Sequence, residues 1–147
     1  MQIDSGSGLI QGARFVASPN CDNRPADIAV DILVIHSISL PPGKFGGPGV
    51  EQLFCNCLDP AEHPYYREIK DMKVSAHLFI RRNGEIIQFV PLHRRAWHAG
   101  QSYCEGRTRA NDFSIGIELE GTDNLPFEDA QYESLNNLTG LIRKQFP

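Results

Sequence analysis

The sequence predicts one domain of the α/β (α+β) class, with a central mixed β-sheet flanked by helices. Three observations predict it. Ile32-Leu33-Val34-Ile35 is a short, continuous apolar run rich in β-branched residues. Two further strand-like runs, HLFIRR and EIIQFV, flank Asn83-Gly84, and the stretch from Phe113 to Glu120 alternates with period two. Near the C-terminus Leu135, Leu138 and Ile142 recur at helical spacing. Strands and helices in this mixture bury their apolar sides against one another in layers around one core. The length of 147 residues suits a single domain spanning 1–147, because two would each fall below the usual size.

In chain order, residues 1–29 are rich in Gly, Ser, Asn, Asp and Pro and show no period, which predicts an extended, surface-wrapping lead-in. The Ile32–Ile35 run reads as a strand buried on both faces, hence a central one. Ser39 to Gly49 (SLPPGKFGGPG) is too dense in Pro and Gly for a regular element and forms a loop. Short helices are expected over Val50 to Phe54 and Ala61 to Tyr66. Asn-Gly between two strand runs predicts a type I′ hairpin within Val74 to Val90. In the Phe113 strand, Phe113, Ile115, Ile117 and Leu119 share one face; Ser114, Gly116, Glu118 and Glu120 share the other. Pro126 to Phe146 reads as a helix, with Pro126 in its first turn and Glu128 and Asp129 at its positive end.

Composition narrows the function. Fourteen Lys+Arg against eighteen Asp+Glu leave a net charge of −4, so nothing pulls the chain toward nucleic acid. No apolar run approaches the roughly 18 residues of a membrane span, and the N-terminus does not read as a secretory signal. Cys21, Cys55, Cys57 and Cys104 are read as unpaired thiols of a reducing cytoplasm. The Cys55-x-Cys57 spacing is too tight for a zinc finger.

Candidate chemistry sits at strand ends. His36 closes the apolar strand and opens the Gly/Pro loop, a position suited to a metal ligand or general base; hydrogen bonding to loop backbone is the alternative. Glu118 lies on the polar face of an otherwise apolar strand, beside Gly116, which leaves space. A half-buried carboxylate there would have a raised pKa useful for proton transfer, whereas Glu120 on the same side would suit a solvated face. His77 reads as a satisfied structural histidine. Trp97, followed by His98, offers an aromatic wall for a sugar or peptide, or core filling. Arg107 and Arg109 could clamp a carboxylate as a pair or stand as surface charge. The common zinc-protease, serine-hydrolase and P-loop motifs are absent from the sequence.

Four segments, ILVIHSISLPPGKFGG, VSAHLFIRRNGEIIQFVP, RAWHAGQS and NDFSIGIELEGTDN, occur in the order and spacing of the AmpD-type N-acetylmuramoyl-L-alanine amidases. The resemblance runs from about Ser18 to Phe146. These zinc amidases are related to phage lysozyme amidases and peptidoglycan recognition proteins. The resemblance implies a zinc-dependent hydrolase that cuts the amide between (anhydro-)N-acetylmuramic acid and the L-Ala of the stem peptide. It further implies a cytoplasmic monomer that recycles cell-wall muropeptides, with anhydro-muramyl peptide as its substrate and no nucleic acid or membrane partner. Carried over by position, His36 is a zinc ligand and Glu118 the catalytic carboxylate. Trp97, Arg109, Ser37 and Lys73 fall at substrate-binding positions, with Ser37 where relatives often carry Asn and Lys73 where some carry Arg. The family's other two zinc ligands, a His and an Asp, and a catalytic Lys follow the last helix. The 147 residues end at Pro147, so the expectation is a domain lacking that segment and inactive by itself. A non-catalytic muropeptide-binding module is the competing reading, disfavoured because pure binding needs neither His36 nor Glu118.

Overall fold

The computed structural model describes all 147 residues. The chain order is β1 (Gln2–Ile3), β2 (Ile10–Gln11), β3 (Arg14–Phe15), β4 (Cys21–Asn23), β5 (Ile32–Ile38), α1 (Gly49–Phe54), α2 (Pro64–Ile69), β6 (Leu78–Ile80), β7 (Ile86–Gln88), β8 (Arg94–Ala96), β9 (Tyr103–Cys104), β10 (Arg107–Thr108), a 3₁₀ turn (Ala110–Asp112), β11 (Ser114–Glu120) and α3 (Asp129–Gln145). Five strands form one mixed sheet in the order β3-β7-β6-β11-β5. β11 runs parallel to both β5 and β6, and β6 pairs antiparallel with β7. No helix is long and apolar enough to cross a membrane.

The alternation in β11 divides the molecule into layers. Ile115, Ile117 and Leu119 join Leu78, Ile80 and Ile86 against Leu138 and Ile142 of α3. On the opposite side of the sheet, Phe79, Ile87 and Phe89 pack with Val50, Leu53 and Phe54 of α1 and Tyr66 and Ile69 of α2. The second face of β11, with Ser114, Gly116 and Glu118, looks into this α1/α2 side. Every residue of β11 is buried, which rules out a solvated face at Glu118. Glu120 is buried too and accepts hydrogen bonds from the Gly46 and Arg82 amides at 2.6 and 3.0 Å.

Other expectations also change. β5 is an edge strand, paired only with β11, and Ile35 is 44% exposed. The strands buried on both faces are the interior ones, β11, β6 and β7, each of which has a neighbour on either side. The lead-in is not merely extended: β3 joins the central sheet beside β7, and β4 pairs with β8. In the β6–β7 hairpin Asn83 keeps a negative φ and only Gly84 is left-handed, at 84°. A type I′ turn needs both central residues left-handed, so this is a longer connection. It is closed by Gly84 N–H to Arg81 O at 2.9 Å and Arg81 N–H to Glu85 O at 3.0 Å. The short helices start at Gly49 and Pro64. α3 begins at Asp129, beyond Pro126, because Glu128 and Gln131 form a reciprocal capping box.

Leu138 is fully buried between α3 and the sheet. Leu138→Ala should therefore lower unfolding free energy by about 2–5 kcal/mol, read as a reduced urea midpoint with little change in slope.

Candidate active site

The site is built where β5 and β11 lie side by side. Their register sets His36 opposite Glu118, and adjacent strands are about 4.8 Å apart. The two side chains therefore stand on one face of the sheet as immediate neighbours. Above them a cleft of about 600 Å³ is lined by Leu40, Tyr65, Trp97, His98, Glu118 and Asp123 among others. His36 opens onto an adjoining depression that shares Ser37, Thr122, Asp123 and Asn124 with this cleft.

Glu118 forms part of the floor. Burial pushes its carboxyl pKa up to about 7, because the charged form has lost water. One carboxylate oxygen, Oε2, is buried without a hydrogen-bond partner. A carboxyl on the floor of a cleft, with no charge or hydrogen bond holding Oε2 ionised, is suited to exchange a proton with a molecule bound there.

Three histidines cluster beside β11, with His98 between His36 and His77. His36 Nε2 lies 2.9 Å from His98 Nδ1, and His98 Nε2 lies 3.0 Å from Ser114 Oγ. His77 is fully buried; its Nδ1 accepts the Gly116 N–H at 3.0 Å and its Nε2 faces Arg94 O at 3.0 Å. This is the structural histidine that the sequence suggested. Burial lowers the pKa of all three, that of His98 to about 3, where His36 and Arg24 add to the effect. Gly116 does not leave empty space: a Cβ there would clash with the His98 ring. The absent side chain is what admits the imidazole.

Ion pairs fix the segment that carries Trp97 and His98. Arg95 in β8 grips Asp22 of β4 through Nε and Nη2 at 2.7 and 2.6 Å and also pairs with Asp112. Trp97 Nε1 donates to Asp22 Oδ1 at 3.3 Å, and Asn111 Oδ1 accepts from the amides of His98 and Ala99. Trp97 is half-buried and walls the cleft rather than filling the core.

The remaining predicted residues are less concentrated. Ser37 lines the cleft and donates to Asp123 Oδ1 at 3.3 Å. Lys73 is exposed between Met72 and Val74, which do line the cleft. Arg107 and Arg109 do not act as a pair. Arg107 is bound to Asp31 and stacks on Phe113, whereas Arg109 reaches Asp112 at 3.1 Å from a left-handed backbone (φ 66°). Arg109 is exposed and outside the cleft lining. Sequence reasoning gave no role to Ser114, Asn111 or Tyr65, and named His98 only as the neighbour of Trp97. Its one usable signal was that His98 and Ser114 adjoin residues already singled out.

The architecture recurs among solved structures. The N-acetylmuramoyl-L-alanine amidase LysC from Clostridium intestinale aligns over 93% of this chain and 78% of its own, with a TM-score of 0.58 at 17% identity, a likeness of fold. Similarity closer to home defines the family. Residues 26–147 match N-acetylmuramoyl-L-alanine amidase. The chain is 54% identical over 140 residues to the 1,6-anhydro-N-acetylmuramyl-L-alanine amidase AmpD of Escherichia coli K12, covering 95% of this chain and 76% of that protein. It is 52% identical over 144 residues to the Haemophilus influenzae AmpD, covering 98% and 78%. A crystal structure of a selenomethionine AmpD derivative superposes with a TM-score of 0.97 at 52% identity, covering all of this chain and 81% of that one. The chain belongs to the N-acetylmuramoyl-L-alanine amidase family, whose members are hydrolases.

A catalytic zinc takes three protein ligands and keeps one open position. No group of three or more His, Cys, Asp or Glu side chains comes together in this chain to hold a metal. His36 supplies one nitrogen, and the nearest imidazole faces it at hydrogen-bonding distance. The residues present do not by themselves make a zinc centre.

The buried carboxyl has a consequence for stability. Its folded pKa, about 7, lies above the ordinary 4.5, so the folded state holds the proton more tightly than the unfolded chain. Stability should fall as pH rises from 4.5 to 7, by on the order of 3 kcal/mol for this group. Glu118→Gln should therefore be the more stable protein in urea melts at pH 8 and should lose that advantage at pH 4.5.

Proposed function

We propose that this protein hydrolyses the amide bond between 1,6-anhydro-N-acetylmuramic acid and the L-Ala of its stem peptide, in muropeptide recycling in the cytoplasm. The observation that carries the reading is the desolvated Glu118 carboxyl, with one oxygen unpartnered, beside His36 on the floor of a peptide-sized cleft. The AmpD relatives are named for this amide. A related amidase, AmiD of E. coli, is solved in complex with the substrate anhydro-N-acetylmuramic acid-L-Ala-D-γ-Glu-L-Lys; it is 30% identical and covers 94% of this chain and 47% of its own, with a TM-score of 0.51.

In this reading Trp97 lays an apolar wall along the substrate. Ser37 offers a hydroxyl at the cleft rim, and Lys73 and Arg109 supply exposed positive charge for carboxylates of the stem peptide. Glu118 takes the proton of the attacking water and returns one to the amine that leaves. Its raised pKa suits both roles near neutrality, because a group that is half ionised is competent as base and as acid. His36 is the one ligand these residues offer to the zinc that the family resemblance implies. The protein acts as a monomer on soluble anhydro-muramyl peptide.

Two outcomes test this. On the protein as its gene encodes it, Glu118→Gln should lower release of peptide from anhydro-N-acetylmuramyl tripeptide by about 10²–10⁴-fold, with peptide binding retained. Near-normal turnover would make Glu118 a spectator and overturn the reading. The 147-residue chain itself should retain little zinc after dialysis against a mild chelator, measured by elemental analysis. Stoichiometric retention would mean that further residues complete the site.

A further inference from the structure

We propose that Ser114 and His98 are positioning residues that lock the His36 ring into a single tautomer through a directed chain of hydrogen bonds. The proposal deepens the reading of His36 as an electron-pair donor in the hydrolytic centre and rests on it. The direction of the chain follows from donor and acceptor chemistry. Ser114 Oγ lies 2.5 Å from Ala110 O; a carbonyl only accepts, so the single hydroxyl hydrogen points there. Toward His98 Nε2, at 3.0 Å, the hydroxyl oxygen can then only accept, so Nε2 of His98 carries hydrogen. A neutral imidazole bears one N–H, which leaves His98 Nδ1 as an acceptor. Facing it at 2.9 Å is His36 Nε2, which must donate. The lone pair of neutral His36 is therefore on Nδ1, the ring nitrogen that makes no hydrogen bond to the protein.

The relay is held rigidly. The His98 ring lies on Gly116, where no Cβ could fit, and its backbone amide is bound by Asn111 Oδ1 at 3.1 Å. Ser114 is fully buried in β11. His77, the third imidazole, stays outside the chain because its Nδ1 is occupied by the Gly116 amide. Hydrogen-bonded neighbours decide which nitrogen of a histidine carries the proton. Here the deciding group is a serine hydroxyl two hydrogen bonds away, across the His98 ring.

The test is long-range ¹H–¹⁵N NMR on the uniformly ¹⁵N-labelled chain, without metal or substrate. The unsubstituted protein should show His36 with Nε2 protonated and Nδ1 bare, and a scalar coupling across the N–H···N bond to His98 Nδ1. Ser114→Ala should move the ring nitrogens of both histidines toward averaged values and abolish the coupling; His98→Phe should release His36 in the same way. Finding His36 protonated on Nδ1, or a Ser114→Ala spectrum unchanged from the parent, would overturn the proposal. If His98→Phe fails to fold, Ser114→Ala and the parent spectrum still decide. A failure to hydrolyse anhydro-muramyl peptide would defeat the proposed activity and leave the tautomer result untouched.

Discussion

The desolvation of one carboxyl group governs the rest of this structure. Glu118 is carried on a strand with a neighbour on each edge and helices over each face, so it has nowhere to meet bulk water except through the cleft. Water and hydrogen bonds normally hold a carboxylate ionised; with both removed from Oε2, the neutral form becomes competitive near pH 7. The same burial weakens the fold at neutral pH and creates a proton acceptor. A stable resting structure and a reactive one make opposite demands on this residue.

The surroundings are arranged to leave that carboxyl uncompensated. Histidines lie near it, yet burial keeps them from supplying positive charge, and every ring nitrogen but His36 Nδ1 is engaged, with another histidine, Ser114, Gly116 or Arg94. Arg24, a half-buried cation, directs donors to the carbonyls of Leu92, Asn111, Asp112 and Ser114, and its Nη2 stands 3.1 Å from His77 Nε2. Burial lowers its pKa to about 10, so it remains charged at neutral pH while its hydrogen bonds serve the backbone. The charged partners that do form strong pairs, Arg95 with Asp22 and Asp112, sit behind the cleft wall and hold the Trp97–His98 segment.

Local pattern was sufficient for much of the fold. Period-two alternation separated Ile115, Ile117 and Leu119 on the α3 side from Ser114, Gly116 and Glu118 on the cleft side, because a strand's side-chain period is independent of its neighbours; that the second face is also buried was decided by packing. Helical spacing placed Leu138 and Ile142 on the buried face of α3 for the same reason. Pattern failed where neighbours decide. The Ile32–Ile35 run has the composition of a central strand, but β5 lies at the sheet edge. The Asn83-Gly84 pair has turn chemistry compatible with more than one turn, and hairpin register selected the longer one.

The sequence by itself determined the layered mixed-sheet class, the strands that carry His36 and Glu118, and the family to which the segments belong; that β5 runs on past His36 to Ile38 was decided by pairing with β11. Those are properties of residue type and short-range spacing, which survive without knowledge of the fold. Only the tertiary structure decided that His36 and Glu118 are register partners, that Arg107 and Arg109 separate to different acids, and that His98 reaches His36 across 62 residues. The physical reason is that a hydrogen bond or a desolvation penalty depends on what lies within a few ångströms in space. That neighbourhood is set by strand order and packing rather than by distance along the chain.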